Sequence, residues 1–267
     1  MNKQPLLTEF KNYTANYNAS DPKVVLKIEH TFRVADIAEE IAKSLPQLSE
    51  DEVDLAWLLG LLHDIGRFEQ LKRYGTFVDV VSIDHAELGA DILFKGGLID
   101  RFWTEPITKI FAENEDPAKC EKDLIELAIR QHNKLNLPED LNETEKLFCD
   151  LLRDADKVDI FRVIHEIPFE VRMTKKEERT DLPAREDVMK CVHEHRCVPR
   201  LSEQTGFECH ISSCAMAFEL VFEKSKELAK EQGYLTKMLS YEPESEPQKR
   251  QMEELRAEVR NWGLNFR

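Results

Sequence analysis

Residues 58–70 read Leu58-Leu59-Gly60-Leu61-Leu62-His63-Asp64-Ile65-Gly66-Arg67-Phe68-Glu69-Gln70. The apolar run at 58–62 predicts a buried helical turn, and it closes on an imidazole and a carboxylate side by side. Two such polar groups at the end of a buried helix are unusual, because each needs a partner there. Upstream, Ser49-Glu50-Asp51-Glu52 is a capping box that opens this helix, and Val53, Ala56, Leu59 and Leu62 form its apolar stripe. Downstream, Gly66 and the turn at Tyr74-Gly75 are expected to break the pattern.

The same three-and-four spacing of apolar residues recurs through the chain, and glycine is scarce, with 9 residues in 267. The fold class is all-α. Asp21 is the expected N-cap of a helix with Pro22 at its first position, carrying Val24, Val25, Ile28, Ala35, Ala38, Ala42 and Leu45 on one stripe. Further helices are expected at roughly 84–95, 99–113, 119–133, 142–165, 185–197, 214–232 and 246–262. Residues 1–20 form an N-terminal helix, 21–165 a helical core, and 166–267 a helical extension, with a linking loop at 166–185.

Composition narrows the function. The chain carries 52 Asp and Glu against 37 Lys and Arg, a net charge of −15. That balance argues against nucleic-acid polymers and anionic membrane surfaces as partners. No apolar stretch approaches the length that spans a bilayer, and the first 20 residues lack a secretory pattern. The six cysteines are scattered, so reduced thiols in a cytoplasmic protein are expected.

His30, His63-Asp64, His85, His132 and Asp156 lie on predicted helices or at their ends. His30 shares a face with Val34, Ile37 and Ile41, and His63 lies above Leu59 and Ala56. His132 lies above Ala128 and Ile125, and Asp156 between Leu152 and Ile160. One inward histidine is commonly a hydrogen-bonded core residue. Four helices that each turn a metal-ligating group inward point to a shared site. Imidazole nitrogen with carboxylate oxygen suits Mn, Fe, Co, Ni or Zn, and Mg if waters complete its shell.

In order along the chain, "IEHTFRVADIAEEIA" at 28–42, "LLGLLHDIGRFEQ" at 58–70 and "LLRDADKVDIF" at 151–161 resemble the signatures of the HD-domain superfamily of metal-dependent phosphohydrolases. The resemblance covers about residues 24–165. It implies that His30, His63, Asp64 and Asp156 bind metal, with Asp154 in a supporting role. "DHAELGADIL" around His85 and "AIRQHNK" around His132 resemble the third and fourth histidine motifs of binuclear HD phosphodiesterases. They imply either a second metal sharing Asp64 with His85 and His132, or a substrate-contacting or proton-donating role for these two. Asn133-Lys134-Leu135 departs from the Gly-Tyr-Pro branch.

The reaction implied is hydrolysis of a phosphate ester or anhydride of a small metabolite, foremost a nucleotide, through a metal-activated water. One or two divalent ions are expected as cofactors. Arg67 is the leading candidate to grip the substrate phosphate, because its planar fork reaches two oxygens, and Lys157 is the second. Gln70 and Tyr74 are weaker candidates for reading the leaving group, and Lys72 and Lys134 read as surface ion pairs. A mixed-valent di-iron oxygenase on the same scaffold, or a non-catalytic ligand-sensing domain, are the competing functions. The Cys191, His193, His195, Cys197, Cys209, His210 and Cys214 cluster lacks the spacing of zinc ligands and reads as structural.

Overall fold

The computed structural model describes residues 1–108, 116–166, 182–199 and 204–264. The fold is all-α, with no strand among the described residues. In chain order the helices are α1 (Lys3–Thr14), α2 (Pro22–Lys43), α3 (Glu50–Leu62), α4 (Ile65–Tyr74), α5 (His85–Ala90), α6 (Pro117–Gln131) and α7 (Glu143–Glu166). They are followed by α8 (Glu186–His193), α9 (Gly206–Ala215), α10 (Glu223–Gln232), α11 (Tyr234–Leu239) and α12 (Glu246–Asn261). The residues divide into two compact units, Met1–Asp156 and Lys157–Arg267. The expected linking loop at 166–185 falls largely outside the described residues.

The helix starts follow from local chemistry. Asp21 caps α2, its carboxylate accepting from the Lys23 amide at 2.8 Å. Ser49 and Glu52 close a reciprocal capping box on α3. In α3 the apolar surface is not a stripe, since every residue from Leu55 to Leu62 is buried. A helix buried all round belongs at the centre of its unit. On α2, Val25 is exposed and Ile28 only half-buried, so the expected stripe is shifted toward Lys27, His30, Thr31 and Val34.

Two glycines set how closely the helices of the first unit approach. A Cβ on Gly60 would lie 2.5 Å from the Ala35 Cα, so α2 and α3 meet there backbone to backbone. Gly66 does not break the chain as expected. It is the second residue of α4, and a Cβ on it would lie 2.2 Å from the His85 carbonyl oxygen and 2.6 Å from the Gly89 amide nitrogen. The residue is small because α4 and α5 touch at that point. Gly75, at φ 69°, ends α4 in a left-handed cap, at the Tyr74-Gly75 turn expected from sequence. α1 lies against α4, with Tyr13 Oη donating to the Ile65 carbonyl at 3.1 Å and Tyr17 Oη to Glu69 at 3.1 Å.

Two expected helices differ. Over the described part of the helix expected at 99–113, residues 99–108, there is a 3-10 turn, Leu98–Arg101, and residues 103–108 are not helical; 109–113 lie outside the described residues. Pro106 disfavours a helical residue before it, and a single buried carboxylate holds the segment instead. Glu121 accepts from Trp103 Nε1 (2.5 Å), the Ile107 amide (2.8 Å), the Thr108 amide (2.8 Å) and Thr108 Oγ1 (2.7 Å). Glu121→Gln turns one of those acceptors into a donor facing donors. The expected cost is about 3 kcal/mol in denaturant unfolding; a variant as stable as wild type would show that the carboxylate does not pin the segment. The helix expected at 214–232 is split into α9, a 3-10 turn at Met216–Glu219 and α10. α9 starts earlier because Thr205 and Glu208 form a capping box.

The second unit buries its own apolar set, including Val188, Ile211, Cys214, Leu235, Met252, Leu255 and Val259. The six cysteines are thiols. Among the described residues, no helix is long and apolar enough to cross a membrane.

Candidate metal centre

His63 and Asp64 occupy the junction between α3 and α4, where one helix ends and the next begins. The α2–α3 contact at Gly60 brings His30 to them, and the α4–α5 contact at Gly66 brings His85. α6 ends at His132, and α7 supplies Asp156. All six side chains are buried or nearly so, Asp156 being the most exposed, at 13% of its side chain.

Four imidazole Nε2 atoms converge on two carboxylates. His30 Nε2 lies 3.5 Å from Asp64 Oδ2 and 3.1 Å from Asp156 Oδ1, and His63 Nε2 lies 3.4 and 3.7 Å from the same two oxygens. On the other side, His85 Nε2 and His132 Nε2 lie 3.5 and 3.9 Å from Asp64 Oδ1. Asp64 therefore turns one oxygen to each histidine pair. Two groups able to hold a metal ion result, His30–His63–Asp64 and Asp64–His85–His132.

The back of three rings is fixed. His63 Nδ1 donates to the Gly60 carbonyl and His132 Nδ1 to the Ile129 carbonyl, each at 2.7 Å, and His85 Nδ1 donates to Asp79 Oδ2 at 2.7 Å. A carbonyl only accepts, so Nδ1 must carry the proton, and in the neutral ring Nε2 presents a lone pair. Yet His85 Nε2 and His132 Nε2 stand only 3.0 Å apart, and His30 Nε2 and His63 Nε2 3.4 Å apart. Two lone pairs at 3.0 Å repel unless a cation shares them. The donor set thus fits a metal on chemistry as well as on spacing.

The charges agree. Burial pushes the His132 pKa down to about 3, with the neighbouring His85 and His63 adding to the effect. Burial likewise lowers His85, aided by the Arg67 guanidinium. Burial opposes protonation of His63, but the carboxylates of Asp64 and Asp156 outweigh it and raise its pKa. For Asp64 the burial penalty is overcome by Lys27, His63 and Arg67, which hold it well below the usual carboxylate range; Asp156 is held low against burial by His30 and His63.

The expected ligands His30, His63, Asp64, His85, His132 and Asp156 thus come together in one cluster. Asp154 is buried two residues before Asp156, about 200° round α7. It is Asp156 that reaches His30 and His63. Arg67 lies at the edge of the cluster, its Nε 3.5 Å from Asp64 Oδ1 and, although buried, without a hydrogen-bond partner among the described residues. Its Nη1 donates to Gln70 Oε1, the Phe77 carbonyl and Asp79 Oδ1. Gln70 is likewise committed to the 79–83 segment, and Tyr74 is exposed. Lys157 belongs to the second unit, where its ammonium pairs with Glu219 at 2.9 Å. Lys134 pairs with Asp84 at 2.6 Å. In the second unit, His193 and His195 pair with Glu254 and Glu258, and His210 bonds the Met238 carbonyl.

Lys27 was not singled out from sequence. Its ammonium lies 2.6 Å from Asp64 Oδ2, one turn before His30 on the same face of α2. The available signal was a lysine at i, with His30, Thr31 and Val34 at i+3, i+4 and i+7, on an otherwise apolar stripe. Asp79 was also missed, because it opens a short 3-10 turn, Asp79–Val81, in a stretch whose spacing reports no contact.

Neither a curated protein nor a solved structure shows a significant match to the chain. A family model does match, the HD domain, over residues 28–204, about two thirds of the chain, and that span contains all six converging ligands. The chain belongs to the HD-domain family.

Proposed function

We propose that the protein is a metal-dependent phosphohydrolase that cleaves a phosphate ester or anhydride of a small metabolite, foremost a nucleotide, and that it holds two divalent ions about Asp64. The reading is carried by two Nε2 pairs, His85–His132 and His30–His63, each facing its own oxygen of one carboxylate, the first of them a close approach of two lone pairs. His30, His63, Asp64 and Asp156 would hold one ion, and Asp64, His85 and His132 the other. An ion bound there supplies Lewis acidity and a nucleophilic water at neutral pH.

The chain's own residues account for substrate capture. Around the cluster three carboxylates, Asp64, Asp156 and Asp79, stand against Lys27 and Arg67, so two divalent ions would make the pocket net positive inside an acidic protein. Arg67 Nε is a buried donor with no hydrogen-bond acceptor among the described residues, and a phosphoryl oxygen at the open side would satisfy it. Lys27 holds Asp64 from the opposite side and offers two further ammonium protons to the same anion. Asp156, the most exposed ligand, marks the side open to solvent. With Nδ1 of His85 and His132 committed, these residues suit ligation better than proton donation.

The test is phosphate release from a panel of nucleotides and sugar phosphates with Mn, Co, Ni, Zn and Mg. Release is expected with at least one transition metal, to vanish with chelator, and to be absent in the His63→Ala/Asp64→Ala double variant. Undiminished release in that variant would overturn the assignment. Oxygen consumption with two irons bound, in place of phosphate release, would select the di-iron oxygenase chemistry that the same six ligands allow.

A further inference from the structure

The four imidazoles are not held in the same way. His63 and His132 are helix C-caps, and each gives its Nδ1–H to a carbonyl three residues back, Gly60 or Ile129, in the last turn of its own helix. Those carbonyls have no amide partner further along the helix, so the arrangement comes with the helix end. His85 is the first residue of α5 and has no helical turn behind it. Its Nδ1 must find an acceptor elsewhere, and it finds Asp79.

Asp79 is itself held by groups that touch the site. Its Oδ1 accepts from Arg67 Nη1 and from Gln70 Nε2, each at 2.8 Å, while Oδ2 takes the His85 proton at 2.7 Å. Gln70 Nε2 also donates to Ser82 Oγ and the Ile83 carbonyl, each at 2.9 Å, and Arg67 Nη1 to the Phe77 carbonyl at 2.6 Å. Residues 77–83 are thus strapped to α4 through the same two side chains that fix the carboxylate. One side of Asp79 is anchored by cationic and amide donors; the other orients the ring at 2.7 Å and accepts a longer bond from Asn133 Nδ2 at 3.4 Å.

We propose that Asp79 is the positioning residue of the second metal position, setting the tautomer and direction of His85 so that Nε2 faces Asp64 Oδ1 and His132. This rests on the two-ion reading above and extends it. Both positions share Asp64; the first adds His30, His63 and Asp156, and among the described residues Asp79 hydrogen-bonds the ring of His85 and not those of His30 and His63, so the two positions differ in what orients their histidines. Asparagine cannot replace the aspartate. With donors on both sides, its single amide oxygen leaves an NH2 facing either Arg67 and Gln70 or His85 Nδ1. In the second case the ring would have to accept at Nδ1 and carry its proton on Nε2, which cannot then bind a metal.

The experiment is a Mn(II) titration of the full chain by calorimetry, comparing wild type, Asp79→Asn, His85→Ala and the double variant, with thermal unfolding as a check on folding. Wild type is expected to bind about two equivalents. Asp79→Asn should keep the first and weaken the second by about 10–100-fold, the usual effect of removing a partner behind a metal-bound histidine. In the His85→Ala background the second substitution should add nothing, because it acts through that ring. Equal binding by wild type and Asp79→Asn, equal weakening of both equivalents, or a full further loss in the double variant would each overturn the proposal. A wild type that binds one equivalent and releases phosphate would overturn it while leaving the hydrolase reading intact. No binding by wild type would overturn both.

Discussion

Asp64→Ala is expected to abolish phosphate release and to destabilise the metal-free protein by about 3–5 kcal/mol. Removing a ligand commonly costs activity alone. Here the carboxylate also neutralises Lys27 at 2.6 Å, in a pocket where the residue is almost fully buried. Alanine would leave that buried ammonium without the carboxylate that neutralises it. The check is denaturant unfolding of Asp64→Ala and of Lys27→Met/Asp64→Ala. The second change should restore much of the stability, since it removes the uncompensated charge, and none of the activity. A single variant as stable as wild type would show that the Lys27–Asp64 contact does not bear on the fold.

Gly66→Ala should be the most damaging single methyl group in the first unit. The added Cβ would lie 2.2 Å from the His85 carbonyl and 2.6 Å from the Gly89 amide, both backbone atoms that cannot swing aside. Separating α4 from α5 costs about 3 kcal/mol by the general scale of overpacking. It also moves His85 away from Asp64 and His132. Thermal unfolding should therefore fall, and the second equivalent of Mn(II) should weaken with it. The matched control is Gly75→Ala, where nothing lies within 4 Å of the added Cβ but φ is 69°. It should cost only about 1 kcal/mol of left-handed strain and leave metal binding alone. If Gly66→Ala behaved like the control, the close crossing would not be what aligns the site.

Much of this was legible in the sequence because helices write their partners at fixed intervals. His30 with Val34, Ile37 and Ile41, and Asp156 with Leu152 and Ile160, reveal inward faces before any coordinates. The capping box at Ser49–Glu52 and the Asp21-Pro22 start are local chemistry, and they stand where they were expected. What stayed hidden depends on contacts between segments. Gly66 reads as a break until α5 is seen lying against it. Asp79 reads as loop until its carboxylate is found between Arg67 and His85. Arg67 was expected to be a phosphate clamp with both ends available, whereas the structure commits Nη1 to the 77–79 backbone and carboxylate and leaves Nε facing the site. Lys27 was overlooked because a lysine on an apolar stripe is easily passed over as a solvated neighbour. Pro106 was a visible warning against helix over 103–108, but the Glu121 anchor found there joins residues 13 to 18 positions apart.

The most direct measurement is the metal content of the full chain after reconstitution with Mn(II) and desalting, taken together with that of the His63→Ala/Asp64→Ala variant. About two equivalents per chain are expected in wild type, and no more than traces in the variant, because Asp64 serves both positions. A wild-type chain that retains no metal, or a variant that retains as much as wild type, would contradict a metal centre built on Asp64.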